Sequence, residues 1–175
     1  MIAINMPNVK NCMAQLLLKE TFDSFLFIEG EIVTANTYTI DGFIQKKFFE
    51  DRVEGAAGNS ATVVDNPIPE YSSWKDMREY CFSIIKGKRT PLSFKFIFSL
   101  DSAGIADLIA SGGIDVKPDE VQGLYLNVKF DGETLICITG TSFKSFSMDK
   151  TLERAWDARV QEFFEEHGIE YAKME

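Results

Sequence analysis

One short segment of this sequence carries its main cluster of cations. Its members are Lys86, Lys88, Arg89 and Lys95. Such a cluster is typical of a phosphate or nucleic-acid site, in which Gly87 frees the backbone and Thr90 adds a hydroxyl. The run Lys-Gly-Lys-Arg-Thr lacks the spacing of a P-loop and follows a predicted helix instead of a strand. Alternatively, these cations offset the dipole at the carboxyl end of that helix, which is a structural use.

Acidic side chains form a second candidate site. Glu29, Glu31 and Asp41 fall on the outward side of a predicted hairpin, where carboxylates that lie close together would serve in acid–base chemistry or bind a hard cation. The alternative is a solvated sheet surface whose charges discourage pairing with another sheet edge. No set of metal ligands stands out in the sequence, and we expect neither a metal nor a cofactor.

The histidine and the cysteines indicate structural roles. His167 is the single histidine of the sequence, which excludes catalytic triads and multi-histidine metal sites. It falls in the last turn of a predicted helix, where a protonated imidazole complements the helix dipole. Cys12, Cys81 and Cys137 lie among apolar neighbours, as expected for reduced thiols in a core. We therefore predict no catalytic residues.

Composition and charge narrow the classes of function. The chain has 175 residues, of which 45% are hydrophobic, and we expect a single domain with a sizeable core over residues 1–175. A net charge of −9 gives no general attraction to nucleic acid or to anionic membranes. No apolar run is long enough to span a bilayer, and the first residues lack the features of a signal peptide. We expect a cytoplasmic protein without a membrane partner.

Two parts of the sequence share one pattern of apolar and polar residues. The run from Leu26 to Gly42 falls on the run from Leu124 to Gly140 at an offset of 98 positions. Alternation in both runs predicts antiparallel hairpins with one buried face, and Asp131-Gly132 predicts the turn of the second hairpin. The residues expected to point inward in the first hairpin are Leu26, Ile28 and Ile32.

A strand and a helix are predicted before each hairpin, so each half becomes a strand–helix–strand–strand–strand unit. The predicted fold is α+β, with two tandem β-α-β-β-β repeats that form a largely antiparallel sheet with helices packed on it. The predicted segments are repeat 1 (1–49), a linker and helix (50–90), repeat 2 (91–149) and a carboxyl-terminal helix (150–168). The last strands of the units are placed at Lys46–Phe49 and Phe143–Met148, and one more at Ala61–Val64.

Side-chain spacing also predicts where the helices begin and what they bury. The predicted helix caps are Asn8, Ser73 and either Asp101 or Ser102, each of which precedes apolar residues at helical spacing. Trp74 and Trp156 lie on apolar stripes, and we expect both indoles in the core. The alternative for the tryptophans is a place at the centre of a partner interface.

Two resemblances extend these predictions. The segments Tyr71–Asp76, Lys86–Lys95 and Thr139–Ser142 resemble an uncharacterised family of small bacterial proteins. That family has no assigned activity, so the resemblance carries no catalytic residues across to this sequence. The layout of the two units is similar to the two halves of one domain of DNA sliding clamps, the processivity factors. That resemblance implies a clamp-like fold, to which the helices at 73–86 and 150–167 are additions.

The sequence therefore favours a non-enzymatic binding or assembly module that has a protein partner or associates with itself. Two alternatives remain open. One is a nucleic-acid-binding protein that uses the basic segment 86–95, supported by Lys46, Lys47 and Lys144. The other is an enzyme or metal binder that uses the outward carboxylates of the first hairpin.

Overall fold

The computed structural model describes residues 1–49 and 67–175, and its strands there form one seven-stranded antiparallel sheet. The strands are β1 (Ala3–Asn5), β2 (Leu26–Val33), β3 (Thr37–Asp41), β4 (Ser93–Ser99), β5 (Val121–Phe130), β6 (Leu135–Phe143) and β7 (Ala172–Lys173). The longer helices are α1 (Val9–Leu17), α2 (Trp74–Ile85), α3 (Ser102–Ser111) and α4 (Thr151–Glu166). Across the sheet the order is β3-β2-β4-β5-β6-β1-β7. The predicted α+β class is confirmed.

The helices cover one face of the sheet, and a continuous hydrophobic core lies between them. Phe94, Phe96 and Phe98 alternate along β4 and point into this core, as the period of a strand requires. Trp74 of α2 packs on two of these rings, with centroid distances of 5.2 Å to Phe96 and 5.0 Å to Phe98. Its indole N–H donates to the carbonyl oxygen of Leu16 at 2.8 Å, so the buried nitrogen keeps a partner.

Trp156 and Asp157 tie α4 to the centre of the sheet. The Trp156 indole is buried and donates to the carbonyl oxygen of Tyr125 at 2.9 Å. The carboxylate of Asp157 accepts from the Thr139 hydroxyl at 2.5 Å and from the Met1 ammonium at 3.0 Å. Both tryptophans therefore lie in the core, as predicted.

The three predicted helix caps are confirmed by their side-chain hydrogen bonds. At α1, the Asn8 side chain accepts from the backbone N–H of Asn11 at 3.1 Å. At α2, the Ser73 hydroxyl accepts from the backbone N–H of Asp76 at 3.4 Å and donates to its carboxylate at 3.0 Å. At α3, the Asp101 carboxylate accepts a backbone N–H at 2.7 Å. These bonds satisfy donors that a helix otherwise leaves unpaired.

β2 departs from the predicted alternation because it contains a bulge. Its register against β4 shifts between Phe27 and Glu29. Phe27 is fully buried as a result, whereas Leu26 and Ile28 are only partly buried. The prediction that Leu26 and Ile28 point inward is therefore wrong, while the inward position of Ile32 is confirmed. An inserted residue moves the side chains on one side of it to the opposite face.

The bulge coincides with the place where residues 70–73 enter the sheet beside β2. The Phe27 N–H donates to the Ser72 carbonyl oxygen at 2.8 Å, and the Ser72 N–H donates to the Gly42 carbonyl oxygen at 2.9 Å. The Gly42 N–H in turn donates to the Ile28 carbonyl oxygen at 2.8 Å. Three chain segments therefore meet at Gly42, which allows the backbones to approach closely because it has no Cβ.

The two predicted repeat units do not have equivalent neighbours. β4 pairs with β5 of its own unit, whereas β1 pairs with β6 and β7 and not with β2. In the first hairpin Glu29 lies opposite Asp41. In the second hairpin the counterparts of these two residues are Asn127 and Thr139. Asn127 lies opposite Ile138 instead, because the second hairpin has the longer loop. The two units therefore share a sequence pattern, but their strands are not paired in equivalent ways.

The predicted last strands of the two units are also wrong. Residues 46–49 form a helical turn, closed by a hydrogen bond of 3.0 Å from the Phe49 N–H to the Lys46 carbonyl oxygen. β6 includes Phe143 and ends there, so residues 144–148 belong to a loop. Neither segment alternates cleanly between apolar and polar residues, which leaves it without one face to bury. The strand predicted at Ala61–Val64 lies outside the described residues.

The turn between β5 and β6 forms where Asp131-Gly132 predicts it. The Asp131 carboxylate accepts from the backbone N–H of Thr134 at 2.7 Å and from its hydroxyl at 2.7 Å. The backbone N–H of Glu133 donates to it as well, at 3.0 Å. These donors favour the charged form and lower the pKa of Asp131 to about 2. Gly132 takes a φ of 101°, a conformation that favours glycine.

Candidate binding groove and charged surfaces

An apolar groove of about 480 Å³ opens between α1 and the carboxyl-terminal end of α2. Its main apolar lining consists of Val9, Met13, Leu17, Phe82, Ile85 and Phe130. Lys10 and Thr90 are the polar residues that line it. Because so few polar atoms reach its floor, the groove fits apolar side chains better than a polar metabolite.

The groove was missed by sequence reasoning, although α1 carried a signal for it. This helix has more apolar residues than are buried in the core. Cys12 and Leu16 face the core, whereas Val9 and Met13 are only partly buried. Leu18, just after the helix, is 59% exposed. An apolar surplus of this kind on one helix indicates an apolar surface outside the core.

Lys10 lines the groove, and three more cations lie in the chain between its lining residues Ile85 and Thr90. Carboxylates are missing from the chain segments that form most of the groove. Residues 9–18 and 82–90 contain Lys10, Lys86, Lys88 and Arg89 but no Asp or Glu. All four cations are exposed. In a chain of net charge −9, this distribution places a local positive potential beside an apolar floor. We call this arrangement the basic-rimmed groove.

Lys95, the fourth predicted cation, lies on a different surface. β4 places it on the sheet face that the helices leave open, between Glu31 of β2 and Lys129 of β5. The additional predicted cations are on further elements: Lys46 and Lys47 in the helical turn at 46–49, and Lys144 after β6. The structure therefore divides the predicted basic segment between the groove rim and the sheet.

The predicted outward carboxylates are exposed on the open face of the sheet. Glu29 lies directly opposite Asp41, and Glu31 lies opposite Thr39 on one side and Lys95 on the other. A shallow cavity of about 210 Å³ is lined by Glu29, Glu31 and Lys95, among others, but not by Asp41. Within residues 1–49 and 67–175, no three His, Cys, Asp or Glu side chains are grouped so that they could hold a metal ion. The arrangement is that of a charged sheet surface with cross-strand pairs.

A larger cleft of about 810 Å³ lies at the end of the sheet where residues 67–71 pass. Tyr71, Asp101, Asp119, Tyr125 and Lys144 contribute to its walls. Burial raises the pKa of the Tyr125 hydroxyl above its usual value, and the negative charges of its neighbours add to the shift. The carboxylate of Asp101 is already used as the cap of α3. The cleft is therefore mixed in character, with apolar, acidic, hydroxyl and basic side chains in its walls.

His167 and the cysteines occupy the structural positions that the sequence predicts. The His167 Nδ1 lies 2.8 Å from the carbonyl oxygen of Phe163, and its ring packs on the Phe163 ring with a centroid distance of 4.6 Å. Cys12, Cys81 and Cys137 are buried free thiols. Burial raises the pKa of Cys12 and of Cys81 to about 12 and moves that of Cys137 well above its usual value.

We expect all three thiols to be unreactive in the folded protein. A pKa of about 12 leaves only about one thiol in ten thousand ionised at pH 8. Ellman's reagent should therefore release no stoichiometric colour from the native chain and should titrate three thiols in denaturant. Stoichiometric reaction of one native thiol within minutes would contradict the assignment and would identify an accessible nucleophile.

No helix in residues 1–49 and 67–175 has the length and apolar character needed to cross a membrane.

Comparison with known proteins identifies a family but no activity. The model of the family of unknown function DUF5721 matches residues 15–172. The chain belongs to this family, which agrees with the predicted resemblance to an uncharacterised family. Searches of curated proteins and of solved structures found no match. Neither the family nor these searches support the resemblance to sliding clamps.

Proposed function

We propose that this member of a family of unknown function is a non-enzymatic protein-binding module whose basic-rimmed groove receives an acidic amphipathic helix. The observation that carries the proposal is an almost wholly apolar floor between two chain segments, 9–18 and 82–90, that contain four cations and no carboxylate in an acidic chain. Apolar residues at positions i, i+3 or i+4, and i+7 of a partner helix would enter the groove. Acidic residues beside them would meet Lys10 and the loop cations.

The dimensions of the groove support this mode of binding. A space of about 480 Å³ holds roughly two or three large apolar side chains, the number that one face of a short helix presents. Met13 and Phe82 lie in the lining, and flexible or aromatic side chains of this kind adapt to different apolar partners. Because residues 1–49 and 67–175 form a single sheet with one core, we also propose that residues 1–175 are one domain.

The nucleic-acid alternative uses Lys86, Lys88, Arg89 and Lys95, and one binding experiment distinguishes it from the groove proposal. A phosphate backbone would engage these cations but has no use for the apolar floor. Lys95 lies on the open sheet face, so only the other three cations stand beside the groove. The clamp comparison adds nothing to either proposal, because the strand neighbours of the two units differ.

The test is a fluorescence anisotropy titration of the whole chain with two labelled peptides. Both peptides carry leucines at helical spacing, and the remaining positions are Glu in one and Lys in the other. We expect the Glu peptide to bind and the Lys peptide to bind at least about tenfold more weakly. The variant Lys88→Glu/Arg89→Glu should weaken the Glu peptide about tenfold, and Ala14→Phe should weaken it by filling the groove.

A matched control is available in the helical turn at 46–49. Lys46→Glu/Lys47→Glu makes the same change in charge at two exposed, adjacent lysines and should leave binding of the Glu peptide unchanged. Equal binding of both peptides, or no effect of Ala14→Phe, would overturn the proposal. Binding of single-stranded DNA that weakens steeply with salt and is lost in Lys88→Glu/Arg89→Glu, together with no binding of the Glu peptide, would establish the nucleic-acid alternative instead.

A further inference from the structure

β3 forms one edge of the sheet, and its outer side has no partner strand within the described part of the chain. Two hydrogen bonds fix how β3 pairs with β2. The Thr34 N–H donates to the Asn36 carbonyl oxygen at 2.9 Å, and the Gly42 N–H donates to the Ile28 carbonyl oxygen at 2.8 Å. Both bonds continue the register of β2 against β3, and bonded pairs alternate along an antiparallel ladder. The even-numbered residues of β3 are therefore the ones that bond to β2.

The odd-numbered residues of β3 direct their backbone groups away from the sheet. In an antiparallel ladder, a residue that does not bond to one neighbouring strand presents its N–H and C=O to the other side. On β3 these residues are Thr37, Thr39 and Asp41, and all three are exposed. An added strand would exchange two hydrogen bonds with each of them, about six in all. β3 contains neither Lys nor Pro, two residues that commonly prevent pairing at a sheet edge.

Apolar side chains line this edge on the side of the sheet that the helices cover. Tyr38 lies opposite Ile32, which is fully buried, so both side chains are on the core side. Ile40 is on the same side, opposite Gly30. Tyr38 is nonetheless 40% exposed and Ile40 is only partly buried, because both belong to the last strand of the sheet. Apolar side chains at alternate positions of an added strand would pack beside them.

Carboxylates line the same edge on the open face. Glu29 of β2 lies opposite Asp41, and Glu31 lies opposite Thr39. The Asp41 carboxylate accepts from the Phe43 N–H at 2.9 Å, which holds it beside the edge. The two glutamates form no ion pair within 4.0 Å among the residues that the structure describes. Their charges are thus available to cations brought by a partner.

The hairpin of β2 and β3 is acidic along its whole length. Residues 24–45 contain three carboxylates and no Lys or Arg. Lys95 of β4 lies opposite Glu31, on the side away from β3, and Lys46 and Lys47 come after the strand has ended. An added strand would lie roughly 9.6 Å from β2, two strand spacings away. A lysine or arginine side chain on it can extend across β3 toward the glutamates.

We infer that the β3 edge binds an extended segment of a partner protein in which basic and apolar residues alternate. The segment adds one strand to the sheet, a known mode of peptide recognition. Its backbone bonds to Thr37, Thr39 and Asp41, its apolar side chains pack beside Tyr38 and Ile40, and its cations face the carboxylates of the open face. An acidic segment would meet like charge there. This surface is separate from the basic-rimmed groove, which is lined mainly by helices and requires an acidic partner.

The test is amide hydrogen exchange of the full chain, followed by NMR with and without a synthetic peptide that alternates Lys and Val. In the free chain the amides of Thr37, Thr39 and Asp41 should be at least about tenfold less protected than those of Tyr38 and Ile40. A saturating amount of the Lys–Val peptide should raise the protection of the first three amides at least about tenfold. An analogue with Glu in place of Lys should give no protection.

Variants at Thr39 separate the backbone contribution from that of the side chain. Thr39→Pro removes the central outward N–H but no bond to β2, and proline is tolerated on an edge strand at such a position. We expect it to weaken binding of the Lys–Val peptide at least about tenfold in fluorescence anisotropy. The matched control Thr39→Val keeps the N–H and should bind normally. Glu29→Lys/Glu31→Lys should also weaken binding at least about tenfold, and added salt should weaken it in the wild-type chain.

Several results would overturn the inference. One is equal protection by the Lys and Glu peptides, and another is no binding of the Lys–Val peptide at about 1 mM. Slow exchange of the Thr37, Thr39 and Asp41 amides in the free chain would do so as well, because the edge would then already be paired. The exchange pattern and Glu29→Lys/Glu31→Lys decide the question even if Thr39→Pro does not fold. Ala14→Phe fills the groove and should leave this binding unchanged, so failure of either proposal leaves the other intact.

Discussion

Replacing Gly42 by alanine is expected to lower the free energy of unfolding by about 3 kcal/mol. A Cβ at this position would overlap the carbonyl oxygen of Phe27, lie 2.7 Å from its carbonyl carbon and lie 3.0 Å from the Ile28 carbonyl oxygen. These atoms belong to backbone that is hydrogen-bonded on both sides, through Ser72 as well as Gly42. The methyl group therefore cannot be accommodated by a rotamer change, and one of the three chain segments must move.

Urea denaturation followed by tryptophan fluorescence measures this loss, since Trp74 and Trp156 are both buried and become exposed on unfolding. The control is Gly140→Ala, also within the sheet. There a Cβ would meet nothing closer than the Tyr125 Cβ at 3.7 Å, an ordinary contact, so stability should change by less than about 0.5 kcal/mol. Equal midpoints for the two variants would show that the crossing at Gly42 is not tightly packed.

Local sequence patterns predict two kinds of element: those fixed by contacts between residues close in sequence, and those with a strict alternation of apolar and polar residues. β4 follows its alternation along the whole strand, and the helix caps at Asn8, Ser73 and Asp101 use bonds to residues three positions ahead. β2 was mispredicted because its bulge lies beside residues 70–73. That contact spans more than forty residues of chain, and no local pattern reveals it.

The repeated pattern predicts the two hairpins but not the order of the strands in the sheet. Alternation in the two hairpins predicts two similar ribbons, and both ribbons form. The neighbours of each ribbon depend on where β1 pairs, however, and β1 pairs with β6 at the far side of the sheet. Short strands carry little information about their partners, because three residues present only one or two side chains to a face.

The candidate sites were predictable as residues but not as surfaces. The cations at Lys86, Lys88 and Arg89 stand out in the sequence, yet the apolar groove beside them is formed by two helices and the end of β5. Lys95 belongs to the same run of sequence, and strand geometry turns it toward Glu31 and the open face. Neighbouring charges in a sequence therefore came to serve two different surfaces, since a turn separates the elements that carry them.

Thr139→Val is expected to cost about 3 kcal/mol of unfolding free energy, because it leaves two groups without their hydrogen-bond partner. The Thr139 hydroxyl accepts from the Ile2 N–H at 2.8 Å and donates to the Asp157 carboxylate at 2.5 Å. Thr139 and Asp157 are both buried, so water does not readily replace the lost bonds. The hydroxyl thus joins β6 to the residue before β1 and to α4, and its removal should loosen both contacts.

The second threonine of the Thr139-Gly140-Thr141 run provides the matched comparison. Thr141 follows two residues later on β6 and so points to the same side of the sheet. Its hydroxyl oxygen is buried and has no hydrogen-bond partner among the described residues. Thr141→Val removes a polar atom that gains nothing from folding, and we expect stability to stay the same or rise by about 1 kcal/mol. Urea midpoints that fall equally in both variants would mean that loss of β-strand packing, and not the bond to Asp157, sets the cost at Thr139.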